Sequence, residues 1–368
     1  MPHDIESMYS RSEFLKGAAR VGAAGALGSA ALPSLLGASP AAAAVKSKKI
    51  AVIEQAFGTF FTVNFNKPAS AYIKQHPGWS VTFGNENNAV TTGINLLNQY
   101  VSQDYGVLIL STGDNMSAWE HAVGQAVKSG AVFINHCTQA VTGATQNVLF
   151  SHKQAGVDVG NASVAWAKKN KVTPVVALIG NLSDAQGKKR TDWAWKTIKA
   201  KLPNAKLVGQ AQGIDTTSGG KAAANLLAAH PDINMLVTFN TLAGLSALTS
   251  ATHAGKTDRN KFLLATADSE DASLKLIAAA NSIYQVNWGA FFPASMIMML
   301  RDAMKIDAGK KIKPTRLIYG LTIVTPEQAK SFDKITFDPL NPKYKYVFDR
   351  YFKYLDTPVK TAQVPPGQ

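Results

Sequence analysis

Two adjacent residues, His136 and Cys137, carry the side-chain types of a thiol nucleophile and its general base. Successive residues of a strand point to opposite faces, so these two side chains cannot easily hydrogen-bond each other. Cys137 is also the one cysteine of the chain, and a lone cysteine is most often a small buried hydrophobe. We therefore interpret Cys137 as an apolar wall of a site, and we expect neither a disulfide framework nor a zinc cluster around it.

The short motifs of several other chemistries are missing from the sequence. It contains no G-x-x-x-x-G-K-[ST] loop for phosphates and no G-x-G-x-x-G after the first predicted strand. It also lacks the G-x-S-x-G elbow of hydrolases, the H-E-x-x-H zinc motif and C-x-x-C. We therefore predict a protein that is not an enzyme and that uses no cofactor and no metal.

The chain is basic, with 38 Lys and Arg against 24 Asp and Glu and a net charge of +14 over 368 residues. Such a charge is compatible with nucleic-acid binding. The basic residues are dispersed, however, and neither an RNP aromatic pattern nor a helix-turn-helix precedes the fold. A solvated basic surface is the better interpretation, so no nucleic-acid partner is predicted. Hydrophobic residues make up 46% of the chain, which allows a sizeable core in two or three domains.

The segment before residue 45 is typical of an export signal. Arg11, Lys16 and Arg20 form a basic front, and residues 21–44 carry no charge and end in Pro-Ala-Ala-Ala-Ala. We predict a signal over residues 1–44 that is cleaved near Ala44, and a periplasmic mature protein. The alternative is an uncleaved N-terminal membrane anchor, which the Ala- and Gly-rich composition disfavours.

The export route is a separate question. Residues 10–16, SRSEFLK, resemble the twin-arginine motif S-R-R-x-F-L-K, but Ser12 stands where the second arginine belongs. The departure leaves the twin-arginine and general secretory routes both open. No cysteine follows the apolar run, so lipid anchoring is not predicted.

Short apolar runs alternate with amphipathic helical stretches from residue 49 onward, and the pattern restarts after residue 135. Uniformly apolar strands separated by helices indicate a parallel sheet covered on both faces. Two successive open α/β units are expected, because open sheets above about ten strands are uncommon. The predicted strands are 50–55, 79–83, 105–111, 131–135, 148–151, 174–180, 206–212, 235–240 and 262–268.

The end of the chain is less regular. Residues 283–308 predict one strand and one long helix, and residues 317–324 predict one further strand, but periodicity does not assign them to a unit. The tail is rich in aromatic residues, four of which can share one helical face. We expect residues 335–368 to form an extension that packs on the body. The four aromatic residues are Tyr344, Phe348, Tyr351 and Phe352.

Seven short segments, in order along the chain, resemble the type 1 periplasmic binding proteins, the ribose-binding-like sugar receptors of ABC importers. Residues 58–61 resemble the family's N-P-F-F turn, and residues 227–233 resemble its L-x-x-H-P-D-I turn. Arg190 stands at the family's distance from the strand before it. The other segments are residues 105–111, 239–245, 267–268 and 284–286.

The resemblance implies an α/β fold of two Rossmann-like lobes joined by a three-crossing hinge, with the ligand between the lobes. Lobe 1 would take residues 45–151 and about 286–319, and lobe 2 would take residues 152–285 and about 320–334. The implied partners are a small-molecule ligand, a sugar or polyol, and a membrane permease of an ABC transporter. The protein itself would be a monomer.

The resemblance also implies a set of ligand-binding residues at strand ends, where open α/β sheets bind ligands. Arg190 and Asp268 would make charge-assisted hydrogen bonds to hydroxyl groups. Amides both donate and accept, and aromatic rings supply flat apolar walls. Each residue also has an ordinary alternative as a surface charge, a helix cap or a core residue. The set is Phe60, Phe61, Ser111, Cys137, Arg190, Asn240, Asp268 and Gln285.

Three departures from the family pattern bear on the ligand. Cys137, His152 and Thr241 stand where the family has aspartates. The loss of acidic acceptors favours a less hydroxylated sugar, a polyol, or a non-sugar such as a nucleoside, an autoinducer or an aromatic compound. An exported two-lobed hydrolase is a further alternative. A sugar-responsive transcriptional regulator is another, but the first 44 residues do not form a DNA-binding headpiece.

Overall fold

A computed structural model describes residues 44–55, 58, 62–112, 116–137, 139–183, 185–290, 292–318, 320–330 and 340. These residues form two six-stranded sheets, each flanked by helices. The predicted α/β architecture of two lobes is confirmed. The aromatic tail over residues 335–368, apart from residue 340, and the export segment before residue 44 lie outside the described residues.

The first sheet has the strand order β11-β5-β4-β3-β1-β2, and all its neighbouring pairs are parallel. Every residue of β3 is buried, and β1 is buried after its first residue. Strands that are apolar at every position fit this placement, because helices cover both faces of a parallel sheet. The strands are β1 (Lys49–Glu54), β2 (Ser80–Asn85), β3 (Val107–Ser111), β4 (Val132–Cys137), β5 (Gln146–Phe150) and β11 (Thr315–Ile318).

The second sheet has the strand order β12-β10-β9-β8-β6-β7. Its pairs are parallel except for β12, which runs antiparallel to β10 at the edge. The strands are β6 (Val175–Gly180), β7 (Lys206–Gln212), β8 (Met235–Thr238), β9 (Leu263–Ala267), β10 (Tyr284–Ala290) and β12 (Gly320–Ile323).

Helices follow most strands. The first sheet is followed by a π-helical turn (Thr62–Asn66), α1 (Lys67–Lys74), α2 (Val90–Ser102), a 3₁₀ turn (Met116–Trp119) and α3 (Glu120–Lys128). The second sheet carries α4 (His152–Asn170), α5 (Ala185–Lys201), α6 (Thr216–Ala229), α7 (Thr241–His253) and α8 (Asp271–Ala279). The last, α9 (Phe292–Asp307), packs on α1 and the π-helical turn of the first lobe. None of the described helices is long and apolar enough to cross a membrane.

The chain passes between the two sheets three times, and each crossing leaves one residue between defined elements. The crossings lie between Phe150 and His152, between Ala290 and Phe292, and between Ile318 and Gly320. The second position corrects the predicted return at residue 286, because the whole of β10 belongs to the second sheet. The single strand predicted at 317–324 is two strands, β11 and β12, which belong to different sheets.

A buried polar cluster fixes the late elements of the first lobe. The Asp302 side chain is fully buried on α9 and accepts hydrogen bonds from Arg316 of β11 at 2.9 Å and from Gln146 of β5 at 2.8 Å. The Lys305 ammonium pairs with its other oxygen at 3.0 Å. Buried charges are tolerated when they are paired and hydrogen-bonded in this way. The cluster ties α9 to the edge of the first sheet.

Candidate functional site

The carboxyl ends of the two sheets face each other. β5 ends at Phe150, and the Phe150 ring makes an edge contact with His152 at the start of α4, with centroids 5.2 Å apart. His152 in turn contacts the ring of Phe239, just beyond β8, at 5.8 Å. The ring of Phe292, beyond the end of β10, contacts the Phe150 ring, with centroids 5.7 Å apart. Ligand sites of open α/β sheets lie at this edge, so the space between the sheets is the candidate site.

Arg190 is the most heavily bonded cation at this edge. Its residue is 3% exposed, and its Nη1 donates to a carboxylate oxygen of Asp268 at 2.9 Å and to the carbonyl of Phe239 at 2.6 Å. Its Nε donates to Nδ1 of His152 at 3.1 Å, and its guanidinium lies 4.4 Å from the centre of the Phe239 ring. Arg190 and Asp268, both predicted to bind ligand hydroxyl groups, thus form an ion pair with each other in the structure.

His152 orients the arginine as a neutral ring. Burial, with the positive charges of Arg190 and Lys189, lowers the pKa of His152 well below its ordinary value. Because Nδ1 accepts a hydrogen bond from Nε of Arg190, the proton of the neutral ring must be on Nε2. A neutral acceptor positions the guanidinium without cancelling its charge. Among the described residues, no hydrogen bond is made by Nη2 of Arg190, which leaves two donors for a ligand.

Asp268 has an unusual backbone that two hydrogen bonds hold in place. Its φ is 64°, in the left-handed region that costs a non-glycine residue about 1 kcal/mol or more. The Thr241 hydroxyl and the Asn287 amide both donate to its carbonyl, the latter at 2.9 Å. One carboxylate oxygen binds Arg190, and the other, Oδ1, is buried and has no hydrogen-bond partner among the residues that the structure describes. The strained residue therefore presents one unused acceptor at the edge of the sheet.

Asn240 and Gln285, the two predicted amides, are placed very differently. Asn240 caps α7: its side-chain oxygen accepts from the Ala243 amide at 2.9 Å, and its Nδ2 donates to a loop carbonyl at 2.7 Å. Asn240 lies at the carboxyl edge, and these two hydrogen bonds leave it one amide N–H and one oxygen lone pair for a ligand. Gln285 is the second residue of β10, so it lies at the amino edge, where it donates to the carbonyl of Arg259 at 2.7 Å. The structure does not bring Gln285 to the other predicted residues.

In the first lobe, a buried histidine joins two serines. The Oγ of Ser111, at the end of β3, lies 3.2 Å from Nδ1 of His136 on β4. The Oγ of Ser295 on α9 lies 3.3 Å from Nε2 of the same ring. Burial lowers the pKa of His136 to about 4, so the ring is neutral at neutral pH. Ser111 is thus already bonded inside the protein, and Cys137 ends the same strand one residue later.

Glu54, the last residue of β1, was not singled out from the sequence. It is fully buried, and neither carboxyl oxygen has a hydrogen bond of normal length and angle in the described part of the chain. Burial raises its pKa to about 7, and the neighbouring Asn66 amide opposes that rise. The signal was available, because Glu54 is a charged residue at the carboxyl end of an otherwise apolar strand.

Other site residues also depend on contacts that the sequence does not display. From the sequence, His152 is only a departure from the family pattern and Phe239 only part of the segment 239–245 that resembles the family, and Asn287 was not considered. Phe60 and Phe61 lie outside the described residues, and the structure does not describe the side chain of Cys137. Within the described ranges, no group of three His, Cys, Asp or Glu residues is placed to hold a metal ion.

The comparisons with known proteins agree with this architecture. The sequence pattern of a family described as the periplasmic binding protein domain matches residues 41–309. No curated protein matches the sequence. A solute-binding protein of an ABC transporter from Actinobacillus succinogenes 130z, with bound D-allose, is 18% identical with a TM-score of 0.68, and the alignment covers 77% of this chain and 99% of that one.

Two further structures have the same fold. One, from Mycobacterium smegmatis in complex with β-D-fucofuranose, is 16% identical with a TM-score of 0.68, covering 83% of this chain and 98% of that one. The other, from Bacillus halodurans C-125 with bound myo-inositol, is 17% identical with a TM-score of 0.66, covering 79% and 99%. Since the family pattern extends over residues 41–309 and the two lobes have the architecture of these structures, the chain belongs to the periplasmic binding protein family.

Proposed function

We propose that the protein is exported, captures a small polar ligand between its two lobes and delivers it to an ABC import permease. A sugar or polyol is the ligand class that the site supports best. The carrying observation is the second-lobe group of Arg190, Asp268 and Asn240 at the carboxyl edge, with unused Arg190 donors and an unused Asp268 acceptor. Hydroxyl groups both donate and accept, so a polyol can use both.

Two further observations support this proposal. The structural relatives were solved with D-allose, myo-inositol or β-D-fucofuranose, which are all polyhydroxylated. Val45 packs in the core of the first lobe, which fits a mature chain that begins at the predicted cleavage point after Ala44. Mass analysis of protein from a native host should find Val45 at or near the N-terminus, and an intact Met1 in the cytoplasm would contradict export.

Native mass spectrometry of freshly purified protein, followed by calorimetric titration with D-allose, myo-inositol and L-arabinose, tests the ligand class. Small-angle scattering should show a more compact molecule with ligand, because two-lobed binding proteins close by a hinge motion. Ligand should also raise the Tm by mass action. No binding of any of these three, or binding without compaction, would contradict the proposal.

A non-sugar ligand with an aromatic ring is the second candidate. The rings at the carboxyl edge favour it, because Phe150 and Phe239 are only partly buried and lie on opposite sides of the crossing. Nucleosides and simple aromatic acids therefore belong in the titration. The hydrolase alternative has its own test: Cys137→Ser should keep the fold and change affinity only modestly, whereas loss of a turnover with unchanged binding would favour an enzyme.

A further inference from the structure

We propose, on the basis of the solute-binding function above, that Glu54 determines specificity in the first lobe by accepting hydrogen bonds from hydroxyl groups of the ligand. The residue ends β1 at the carboxyl edge, paired in register with Ser111 of β3. It thus stands on the side of the first lobe that faces Arg190 and Asp268.

The first lobe offers few other acceptors at this edge. Alternate residues of a strand share a face, so Glu54 lies on the same face of β1 as Ile50 and Val52, which belong to the core cluster beneath the π-helical turn and α9. On that face, Ser111 and His136 already bond to each other. Among the described residues on that face of β1, β3 and β4, Glu54 is the one whose side-chain oxygens have no hydrogen bond of normal length and angle.

Two other carboxyl groups, fully buried Asp302 and partly buried Asp158, show the contrast. Asp302 accepts from Arg316, Gln146 and Lys305. Asp158 accepts from Gln154 at 2.8 Å and from the indole of Trp288 at 3.2 Å. A buried carboxyl without donors costs the full desolvation penalty of the group. Such a cost is expected at a functional position, where a ligand completes the missing bonds.

The chemistry of the missing partner follows from what is unsatisfied. Within the described part of the chain, neither oxygen of Glu54 has a hydrogen bond of normal length and angle, although the Asn66 amide is close enough to lower its pKa. Two more oxygens without such a bond, Oδ1 of Asn66 and Oγ1 of Thr112, belong to residues near the same edge. Three acceptor-bearing side chains without donors fit a ligand with several O–H groups. Burial favours the neutral form of Glu54, which can also donate one hydrogen bond to a ligand oxygen.

Glu54→Leu separates a ligand-binding role from a structural one. The leucine keeps approximate size and removes an unpartnered carboxyl, so the Tm of the ligand-free protein should rise at neutral pH. Affinity for the tightest-binding of D-allose, myo-inositol and L-arabinose should fall about ten- to a hundredfold. Glu54→Gln keeps one acceptor oxygen, and its affinity should lie between that of the parent and that of Glu54→Leu.

Asp302→Asn is the matched control, a buried carboxyl of the same lobe that has its full set of partners. Its Tm should fall, and its affinity should stay within about threefold of the parent. A lower Tm for Glu54→Leu, or parental affinity in that variant, would overturn the proposal. If the parent binds none of the three sugars, the sugar proposal fails, while the Tm of ligand-free Glu54→Leu still shows whether the carboxyl lacks partners. If Arg190→Ala abolishes binding and Glu54→Leu does not reduce it, only the role of Glu54 is wrong.

Discussion

Arg190 and Glu54 are buried ionisable residues near the carboxyl edges of the two sheets, one in each lobe. In the second lobe, Arg190 has a carboxylate, a carbonyl, an imidazole and an aromatic ring around it before any ligand arrives. In the first lobe, the Glu54 carboxyl has no hydrogen bond of normal length and angle from the described residues. One lobe is organised in advance, and the other has polar atoms left to satisfy.

The difference suggests an order of events. A preorganised group loses little freedom on binding, so the second lobe is expected to hold the ligand while the cleft is open. Hydroxyl groups of the bound ligand then make closure of the first lobe favourable, because closure gives hydrogen bonds to buried acceptors that are otherwise unsatisfied. The following variants test this comparison, in decreasing order of expected effect.

Arg190→Ala should have the largest effect, because it removes the centre of the second-lobe network. Taking one partner from a fully buried pair costs about 3–5 kcal/mol of stability, and the cost here should be smaller because the Asp268 side chain left unpaired is 17% exposed. Affinity should fall about a hundredfold or more. Thermal melts and calorimetry check both, with Lys188→Ala as control, since Lys188 is on the same helix but half exposed and pairs with Asp192. An unchanged affinity in Arg190→Ala would show that the ligand binds elsewhere in the molecule.

Glu54→Gln tests the first lobe through pH. In the folded protein Glu54 keeps its proton up to about pH 7, whereas the unfolded chain loses it near pH 4.5. The stabilising contribution of Glu54 to the free energy of unfolding is therefore present below pH 4.5 and is lost as the pH rises to about 7.

Glutamine carries no such dependence. The variant should match the parent near pH 5 and exceed it by roughly 3 kcal/mol near pH 8, in denaturant melts without ligand. The buried histidines His136 and His152 have the opposite slope, because their lowered pKa values favour the neutral form. They are common to both proteins and cancel in the difference. A constant difference across this range would show that Glu54 is ionised at low pH and has partners.

His152→Leu should have a smaller effect on the second lobe. It leaves Nε–H of Arg190 without its acceptor at 3.1 Å, at a cost of about 1–2 kcal/mol and roughly a tenfold loss of affinity. His152→Asn offers an oxygen acceptor and should recover part of that loss. Equal affinity of the leucine variant and the parent would mean that Phe239 and Asp268 suffice to orient the guanidinium.

Gln285→Ala should affect affinity least. The residue bonds to the carbonyls of Arg259 and Phe262 at the amino edge, so we expect about 1 kcal/mol of destabilisation and less than a twofold change in affinity. Isothermal titration beside a denaturant melt separates the two quantities. A tenfold loss of affinity would show that the ligand reaches the far edge of the second sheet.

Gln285 also shows where sequence analysis stops. The apolar runs of β1, β3 and β6 predict their strands to within one or two residues, because buried parallel strands are apolar at every position. A residue's height along a strand is a different matter. β10 begins at Tyr284 and has a bulge against β9 between Tyr284 and Val286. That register places Gln285 at the amino edge, and no local pattern reveals it.

The site was predictable where a motif carried it and not where tertiary contacts create it. The resemblance named Arg190 and Asp268 as members of one ligand-binding set, and these residues, 78 positions apart, meet at 2.9 Å. The imidazole acceptor of Arg190 depends on how the crossing at residue 151 brings α4 against α5, and pairwise packing of that kind leaves no trace in the spacing of residues. The unpartnered state of Glu54 likewise depends on which neighbours fail to reach it.

The three crossings also determine when the two sheets can be completed during synthesis. β11 completes the first sheet and β12 the second, and both come from residues 315–323. Until α9 has been made, the first sheet lacks the helix whose Asp302 holds Arg316 and Gln146. In a nascent chain both sheets therefore stay incomplete until β11 and β12 have been made. Their contacts have a long sequence separation and form slowly. Truncated chains that end before residue 315 should expose an unpaired strand edge in each half and depend on chaperones to stay dispersed.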